Sequence, residues 1–408
     1  MIDKTIAGLK VGDNHPVRLM GVINLSRESF YKGSVVSADS VLDAAQKMVD
    51  EGAELIDVGA RSTWHLAETI TKHEERSRLI PAVRALADIG VPVSVDTMFS
   101  DIADEALSAG ADIINDVSGF TADLGMPDVA KEHKCPVILM ASSSMPGDPL
   151  GMDAVMNSLD RIITQAEDGG INPDNIIIDP AIGKWISGKL PLYDYETIDN
   201  LERLRVFGKP VLVAISRKSF VGDTLGKPAG ERLFGSLAAT AIAVRNGAHI
   251  IRTHDVAPTL DAVMVAQNTR AKVPSVTSGE FEAELLDIMN GEDGARIMRS
   301  IGATGTGSHV MKNKTVHVNI LLKNITTTEA LIIKQEMLAR GGDAALPREA
   351  VSHESGRVSL VITGTQLQVE RLSDKIRHQV RNLPIVADMI DELMNKKDDT
   401  IFRYSGLK

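Results

Sequence analysis

Pro210-Val-Leu-Val-Ala-Ile-Ser216-Arg217-Lys218-Ser219-Phe220-Val-Gly222 begins as an uninterrupted apolar run and ends in two hydroxyls and two cations. Its first half reads as a strand buried on both faces. Such a strand ends in Ser216, Arg217, Lys218 and Ser219 only where its C-terminal end opens into a polar space. The pattern recurs. Eight short apolar runs, each followed by a polar break and a helical pattern, lie at 18–24, 55–59, 91–96, 112–117, 136–141, 176–179, 211–216 and 249–254. Between them the apolar period is near 3.6, as in Val41, Leu42, Ala45, Met48 and Val49, with stops at Gly52, Gly110 and Gly247. Repeated strand–helix units imply parallel strands with right-handed crossovers. Eight of them within about 250 residues predict a closed (β/α)8 TIM barrel. The competing open, doubly wound sheet lacks its glycine fingerprint after the first strand.

Composition narrows the function. The chain has 408 residues, 43% of them hydrophobic and 24% charged, which suits a large domain with a smaller companion. A net charge of −11 argues against a nucleic-acid surface, and 3% aromatic residues argue against base-stacking platforms. The single cysteine, Cys135, excludes an internal disulfide and a cysteine-built metal cluster. Residues 1–13 carry no apolar leader and no run of eighteen apolar residues occurs, so a cytoplasmic protein without membrane contact is expected.

The barrel pattern is expected over 1–272. Residues 273–310 read as a linker with one short amphipathic helix at 281–289, followed by a Gly- and Ser-rich stretch. Residues 311–408 read as a small α+β domain: a strand at 316–322, a helix at 328–340 closed by Gly341-Gly342, a strand at 358–362, and a helix at 366–381 with Val369, Leu372, Ile376 and Val380 on one side. The tail from Met389 is either mobile or docked as a last helix.

In a barrel of this kind the C-terminal strand ends form the floor of the active site. The polar residues there are Asn24, Asp57, Asp96, Asn115, Asp179, Lys218, Arg252 and His254. A single one of them is adequately explained as a helix cap or a structural histidine. Eight such residues spread over seven of the eight strands are not. Buried carboxylates beside amides suit a flat heterocycle with an alternating N–H and C=O edge. A Lys, an Arg and a His nearby suit phosphate or a developing anion. Asn24 could hold Mg2+ through one protein oxygen, the rest coming from phosphate or water.

Several of these stretches resemble the dihydropteroate synthase family in residues and order. They are Met20-Gly21-Val22-Ile23-Asn24, Ile56-Asp57-Val58-Gly59 with Ser62-Thr63, Val95-Asp96-Thr97, Ile114-Asn115-Asp116, Asp179-Pro180 with Gly183, Ser216-Arg217-Lys218-Ser219-Phe220, and Arg252 with His254-Asp255-Val256. The resemblance runs over 18–265. It implies a (β/α)8 barrel that binds a 6-hydroxymethyl-dihydropterin pyrophosphate with Mg2+, loses pyrophosphate from the pterin methylene, and joins that carbon to an arylamine. It places Asp96, Asn115, Met140, Asp179 and Lys218 on the pterin. It places Asn24, Ser62, Thr63, Arg252 and His254 on the pyrophosphate, Asn24 on the metal, and Lys218, Arg252, His254 and Asp57 in catalysis. A homodimer is the expected assembly. Corrinoid-dependent pterin methyltransferases share the barrel and the pterin aspartates but lack the lysine segment, and rank second. A non-catalytic pterin-binding protein is the remaining alternative.

The departures from the family pattern fall on one side. The first loop reads Lys32-Gly33-Ser34 in place of Asp-Gly-Gly, with Arg27 in place of Pro. The second loop reads Ala60-Arg61-Ser62-Thr63-Trp64-His65 and lacks the family's arginine. Ala141 stands in place of His, and Lys184 then Trp185 in place of an aromatic. Lys32, Arg61, Lys184 and Ser216 are therefore expected on the acceptor side. They would suit a larger, anionic arylamine such as the ribofuranosyl-aminobenzene phosphate of methanopterin-type cofactors, although p-aminobenzoate itself stays open. The stretch from Leu322 to Ala345 resembles an accessory segment that precedes the barrel in some long dihydropteroate synthases.

Overall fold

Ala7 and Gly8 both take positive φ (45° and 85°), the geometry of a two-residue hairpin turn that matches strand twist. They join β1 (Asp3–Ile6) to β2 (Leu9–Gly12) in an antiparallel hairpin that the sequence reading missed. The computed structural model describes residues 2–25, 40–61, 70–352, 356–397, 399 and 403–404. They fall into two compact units, 1–285 and 286–408.

In the first unit each apolar run becomes a parallel strand: β3 (Arg18–Asn24), β4 (Leu55–Gly59), β5 (Val93–Asp96), β6 (Ile113–Asp116), β7 (Val137–Met140), β8 (Ile176–Asp179), β9 (Leu212–Ala214) and β10 (Ile250–Thr253). Their order is β8-β7-β6-β5-β4-β3-β10-β9. A parallel bridge between Ile178 and Val211 joins the two ends, and the Ile178 N–H donates to the Pro210 carbonyl at 3.0 Å. The sheet is thus a ring, the expected TIM barrel. Buried runs of three to seven residues suffice because helices cover the outer face of every strand.

Alternation along the strands divides the barrel interior by height. Leu55, Ile113, Ile138, Ile177, Leu212 and Ile250 fill the lower part, and Ile6 and Val11 of the hairpin join the same apolar cluster. The hairpin therefore plugs the N-terminal mouth. Asp13, just past β2, accepts hydrogen bonds from the Ile2 N–H at 2.7 Å and from Arg205 at 2.5 and 3.0 Å, and lies 3.2 Å from His249 Nε2. With the described interior filled from below, the other end of the barrel is the place where polar side chains converge.

The linker helix expected at 281–289 does not form. Instead β11 (Ser275–Ser278) and β12 (Phe281–Glu284) pair as an antiparallel hairpin across Gly279-Glu280. The reason is visible in Phe281 and Ala283, which alternate with glutamates at period two, the strand period. Two helices, Gly291–Ser300 and Gly305–Met311, occupy the Gly- and Ser-rich stretch, begun by Asn290 and Thr304, whose side chains accept the Asp293 and Gly307 N–H groups.

The second unit carries a three-stranded antiparallel sheet of β13 (His317–Thr326), β14 (Asp343–Ala345) and β15 (Arg357–Thr365) in the order β13-β15-β14. Helices Thr327–Leu338 and Gln366–Ile376 cover it, with Ile320, Leu322, Ile333, Leu360, Val369 and Leu372 in its core. The second helix stops at Ile376, leaving Val380 exposed. The tail forms a docked helix, Leu383–Lys397, that buries Leu383, Val386, Ala387 and Ile390 at helical spacing. Among the described residues, no helix is long and apolar enough to cross a membrane.

Candidate active site

The upper interior is built around one guanidinium. Arg252, on the last strand, donates through Nε to Asp57 Oδ2 at 2.7 Å and through Nη2 to Asp96 Oδ2 at 3.0 Å. The Asn115 amide donates to both oxygens of Asp57 at 3.3 and 3.4 Å. Register explains the convergence, because Gly59, Asp96 and Asn115 are neighbours across β4, β5 and β6. Gly59 keeps the approach open: a Cβ on it would stand a tight 3.1 Å from that of Asp96. Burial, followed by the charge of Asp57, raises the Asp96 pKa, with Arg252 opposing. Arg252 is raised, since Asp57 and Asp96 outweigh the effect of its burial.

Across the mouth stand Asp179 and Lys218. Asp179 ends β8 beside Met140 in register, and accepts the Ala181 N–H at 2.7 Å. The Lys218 ammonium donates to the Ile182 carbonyl and lies 5.1 Å from the centre of the Trp185 ring. Gly183, at φ 115°, leaves room for it, since a Cβ there would meet Lys218 Cδ at 2.6 Å. Burial lowers the Lys218 pKa to about 8 despite Asp179, and burial raises that of Asp179.

His254 and Ser216 form a pair. The Ser216 hydroxyl accepts the His254 backbone N–H at 3.3 Å and lies 3.1 Å from its Nδ1. A hydroxyl that accepts from the backbone can donate to Nδ1, which leaves the ring proton on Nε2. Burial, then Arg252, lowers the His254 pKa to about 3, so the imidazole is neutral near pH 7. In this state its Nε2–H is available as a hydrogen-bond donor.

Arg217 holds the two strand ends together. It sits at φ 57°, a strained conformation for a side-chain-bearing residue. Its guanidinium makes two 2.7 Å bonds to the Asp255 carboxylate and a 2.8 Å bond to the Gly230 carbonyl. Asp255→Ala would leave a buried guanidinium without its carboxylate. We expect a loss of about 3–5 kcal/mol in stability, read from the denaturant midpoint. A loss below about 1 kcal/mol would contradict this account.

Other expected residues distribute as follows. Asn24 ends β3, half-buried, in register with Gly59. Lys184 is half-buried beyond Gly183. Arg61 turns to Glu75, which is 1% exposed, at 2.9 Å, and its guanidinium lies 5.4 Å from the Phe99 ring. Glu75 in turn accepts from Thr97 at 2.6 Å, so Arg61 braces the residue after Asp96. Lys32, Ser62 and Thr63 lie outside the described residues. The sequence reading missed Trp185 as the partner of Lys218 and missed the buried ions Lys189 and Asp194. A charged pair five residues apart, one member in a loop and the other on a short helix, carries no periodic signal.

Residues 20–254 match the family model described as pterin binding enzyme. The chain is 38% identical over 240 residues to the dihydropteroate synthase of Bacillus subtilis strain 168, covering 58% of this chain and 83% of that one. Among solved structures, the Coxiella burnetii dihydropteroate synthase in complex with pteroic acid superposes with a TM-score of 0.59 at 33% identity, over 66% of this chain and 99% of that one. The Xanthomonas albilineans dihydropteroate synthase with 4-aminobenzoic acid superposes with a TM-score of 0.59 at 34% identity, over 67% and 99%.

Proposed function

Because the chain belongs to the pterin-binding enzyme family and is homologous to dihydropteroate synthases, which are transferases, we propose that it joins 6-hydroxymethyl-7,8-dihydropterin pyrophosphate to an arylamine with release of pyrophosphate. The observation that carries this reading is the gathering of ring-reading and anion-binding groups in one mouth. Asp96 and Asn115 stand on one side, Asp179 and Lys218 on the other, and Arg252 acts on both. Ionised carboxylates accept the ring N–H groups, while the Asn115 amide and the Lys218 ammonium donate to its carbonyl and ring nitrogen. Arg252 and the His254 Nε2–H hold the pyrophosphate. The methylene C–O bond breaks with its electron pair leaving on pyrophosphate, the amine nitrogen bonds to the methylene carbon, and the amine gives up a proton. Catalysis is electrostatic, from donors already aimed at the departing charge.

Asn24 offers one hard oxygen at the mouth, which fits a Mg2+ whose other ligands are phosphate and water. When bound, the ion would neutralise leaving-group charge. Homologous structures in complex with pteroic acid and with 4-aminobenzoic acid support p-aminobenzoate as the acceptor. A larger anionic acceptor would draw on Lys184 and Lys32, since the charge of Arg61 is already matched by Glu75. The test supplies the pterin pyrophosphate and Mg2+ with either p-aminobenzoate or the phosphorylated ribofuranosyl arylamine, and measures pyrophosphate release. No release above background with both acceptors would sink the reading.

We also propose a homodimer through helices Leu233–Arg245 and Val256–Gln267. Outer barrel helices ordinarily turn a polar face to water. These expose Phe234, Ile242, Met264 and Val265, with Phe234 at 79% and Val265 at 70%. A self-complementary two-fold contact would cover them. Ile242→Glu with Met264→Glu should halve the mass seen by sedimentation at micromolar concentration. A wild-type protein that is already monomeric there refutes the dimer.

A further inference from the structure

Behind the Asp179–Lys218 side of the mouth lies an ion pair that the reaction does not use. Lys189 and Asp194 are 2% and 1% exposed, and Lys189 Nζ lies 3.2 Å from Asp194 Oδ1. Taking two such ions out of water costs more than their attraction returns unless hydrogen bonds complete them, so stability alone is a poor reason for the pair. Its further bonds go to one segment. Lys189 Nζ donates to the Ala181 carbonyl at 2.6 Å, and Asp194 Oδ1 accepts the Gly183 N–H at 2.8 Å. Asp194 is itself fixed on the helix Pro191–Asp199, which buries Thr197 and Ile198.

The same segment reaches the site from its other side. The Ala181 N–H binds the Asp179 carboxylate at 2.7 Å, and the Ile182 carbonyl receives the Lys218 ammonium. Ala181 sits at φ 62°, a strained conformation for a residue with a side chain, so the segment depends on its surroundings to keep this shape. We propose that the buried Lys189–Asp194 pair is a positioning device for pterin recognition, fixing residues 181–183 so that they aim the Asp179 carboxylate and the Lys218 ammonium into the mouth. This rests on the pterin-transfer reading above. Lys189 and Asp194 are positioning residues and do not touch substrate.

Two measurements test it, on Asp194→Asn and on Lys189→Met/Asp194→Asn, in which no unpaired charge is left buried. In steady-state turnover, KM for the pterin pyrophosphate should rise by between about ten- and a hundredfold, with a smaller change in kcat and in KM for the arylamine. The second needs no ligand. With Trp64→Phe in every variant, the emission of Trp185 reports the Lys218 ammonium 5.1 Å from its ring. The groups bearing on that ammonium are Asp179, Arg252, Asp194 and Lys189. The parent should show an emission step near pH 8, and the double variant a step moved by about one unit towards the ordinary lysine value as the cage loosens. A double variant with the parent's emission midpoint and KM overturns the proposal. If the wild-type chain shows no turnover of the pterin pyrophosphate, the functional reading falls, and the emission step alone still decides the positioning.

Discussion

Arg252→Met is expected to lower kcat/KM for the pterin pyrophosphate by at least about a thousandfold, with no comparable loss of fold. Losing one donor aimed at a developing anion typically costs about a hundred- to a thousandfold. Here the same guanidinium also separates two carboxylates, at 2.6 Å from Asp57 and 3.0 Å from Asp96. Without it those groups repel, and the Asp96 carboxyl, already raised, takes up a proton. In the proposed binding mode a protonated Asp96 no longer accepts the ring N–H as an ionised group, so pterin affinity falls together with leaving-group stabilisation. The fold survives because protonation relieves the repulsion. A cycle with Asp57→Asn exposes the coupling: once Asp57 is neutral, removing Arg252 should cost markedly less than it does alone. Wild-type-like kcat/KM in Arg252→Met, within about tenfold, would remove this guanidinium from the proposed mechanism.

The barrel was legible in the sequence because a buried parallel strand is a continuous apolar run, and each of the eight runs ends within two residues of the strand observed. The strand-end positions were legible for the same reason, while alternation decides which side chain turns inward: Asn115 reaches Asp57, and the adjacent Asp116 accepts the Ser118 and Phe120 N–H groups instead. What sequence could not supply is pairing. Asp57 and Arg252 lie at opposite ends of the barrel sequence, and their contact comes from ring closure. Arg61 reads as a loop cation until Glu75, a turn into the next helix, claims it. The lowered pKa of His254 comes from burial and from Arg252, neighbours that only the fold supplies. The hairpin at 275–284 was missed because the alternation of Phe281 and Ala283 with glutamates spans only four residues, too short to outweigh a helical reading of 281–289. The short β14 was missed because three residues carry no period at all.

The pH dependence of kcat/KM should be a narrow bell with its alkaline limb near pH 8. The competent free enzyme has Lys218 protonated and Asp96 ionised. Lys218 loses its proton as pH passes about 8, since burial lowers its pKa, and kcat/KM then falls about tenfold per unit. On the acid side Asp96 is protonated well above the ordinary carboxylate value of about 3.9, raised by burial and by Asp57, so activity falls earlier on acidification than for an exposed aspartate. Lys218→Arg keeps a charge throughout this range and should lose the alkaline limb, at a lower plateau because a planar guanidinium fits the ammonium's place poorly. Stability must move the other way. Between about pH 8 and the unfolded lysine value the unfolded chain holds the proton that the folded one has released, so this group makes the fold more stable as pH rises. Alkaline inactivation by this route is therefore reversible and accompanied by no loss of Tm from Lys218. An alkaline limb that survives unchanged in Lys218→Arg, or that tracks unfolding in the wild type, assigns the loss of activity to some other group.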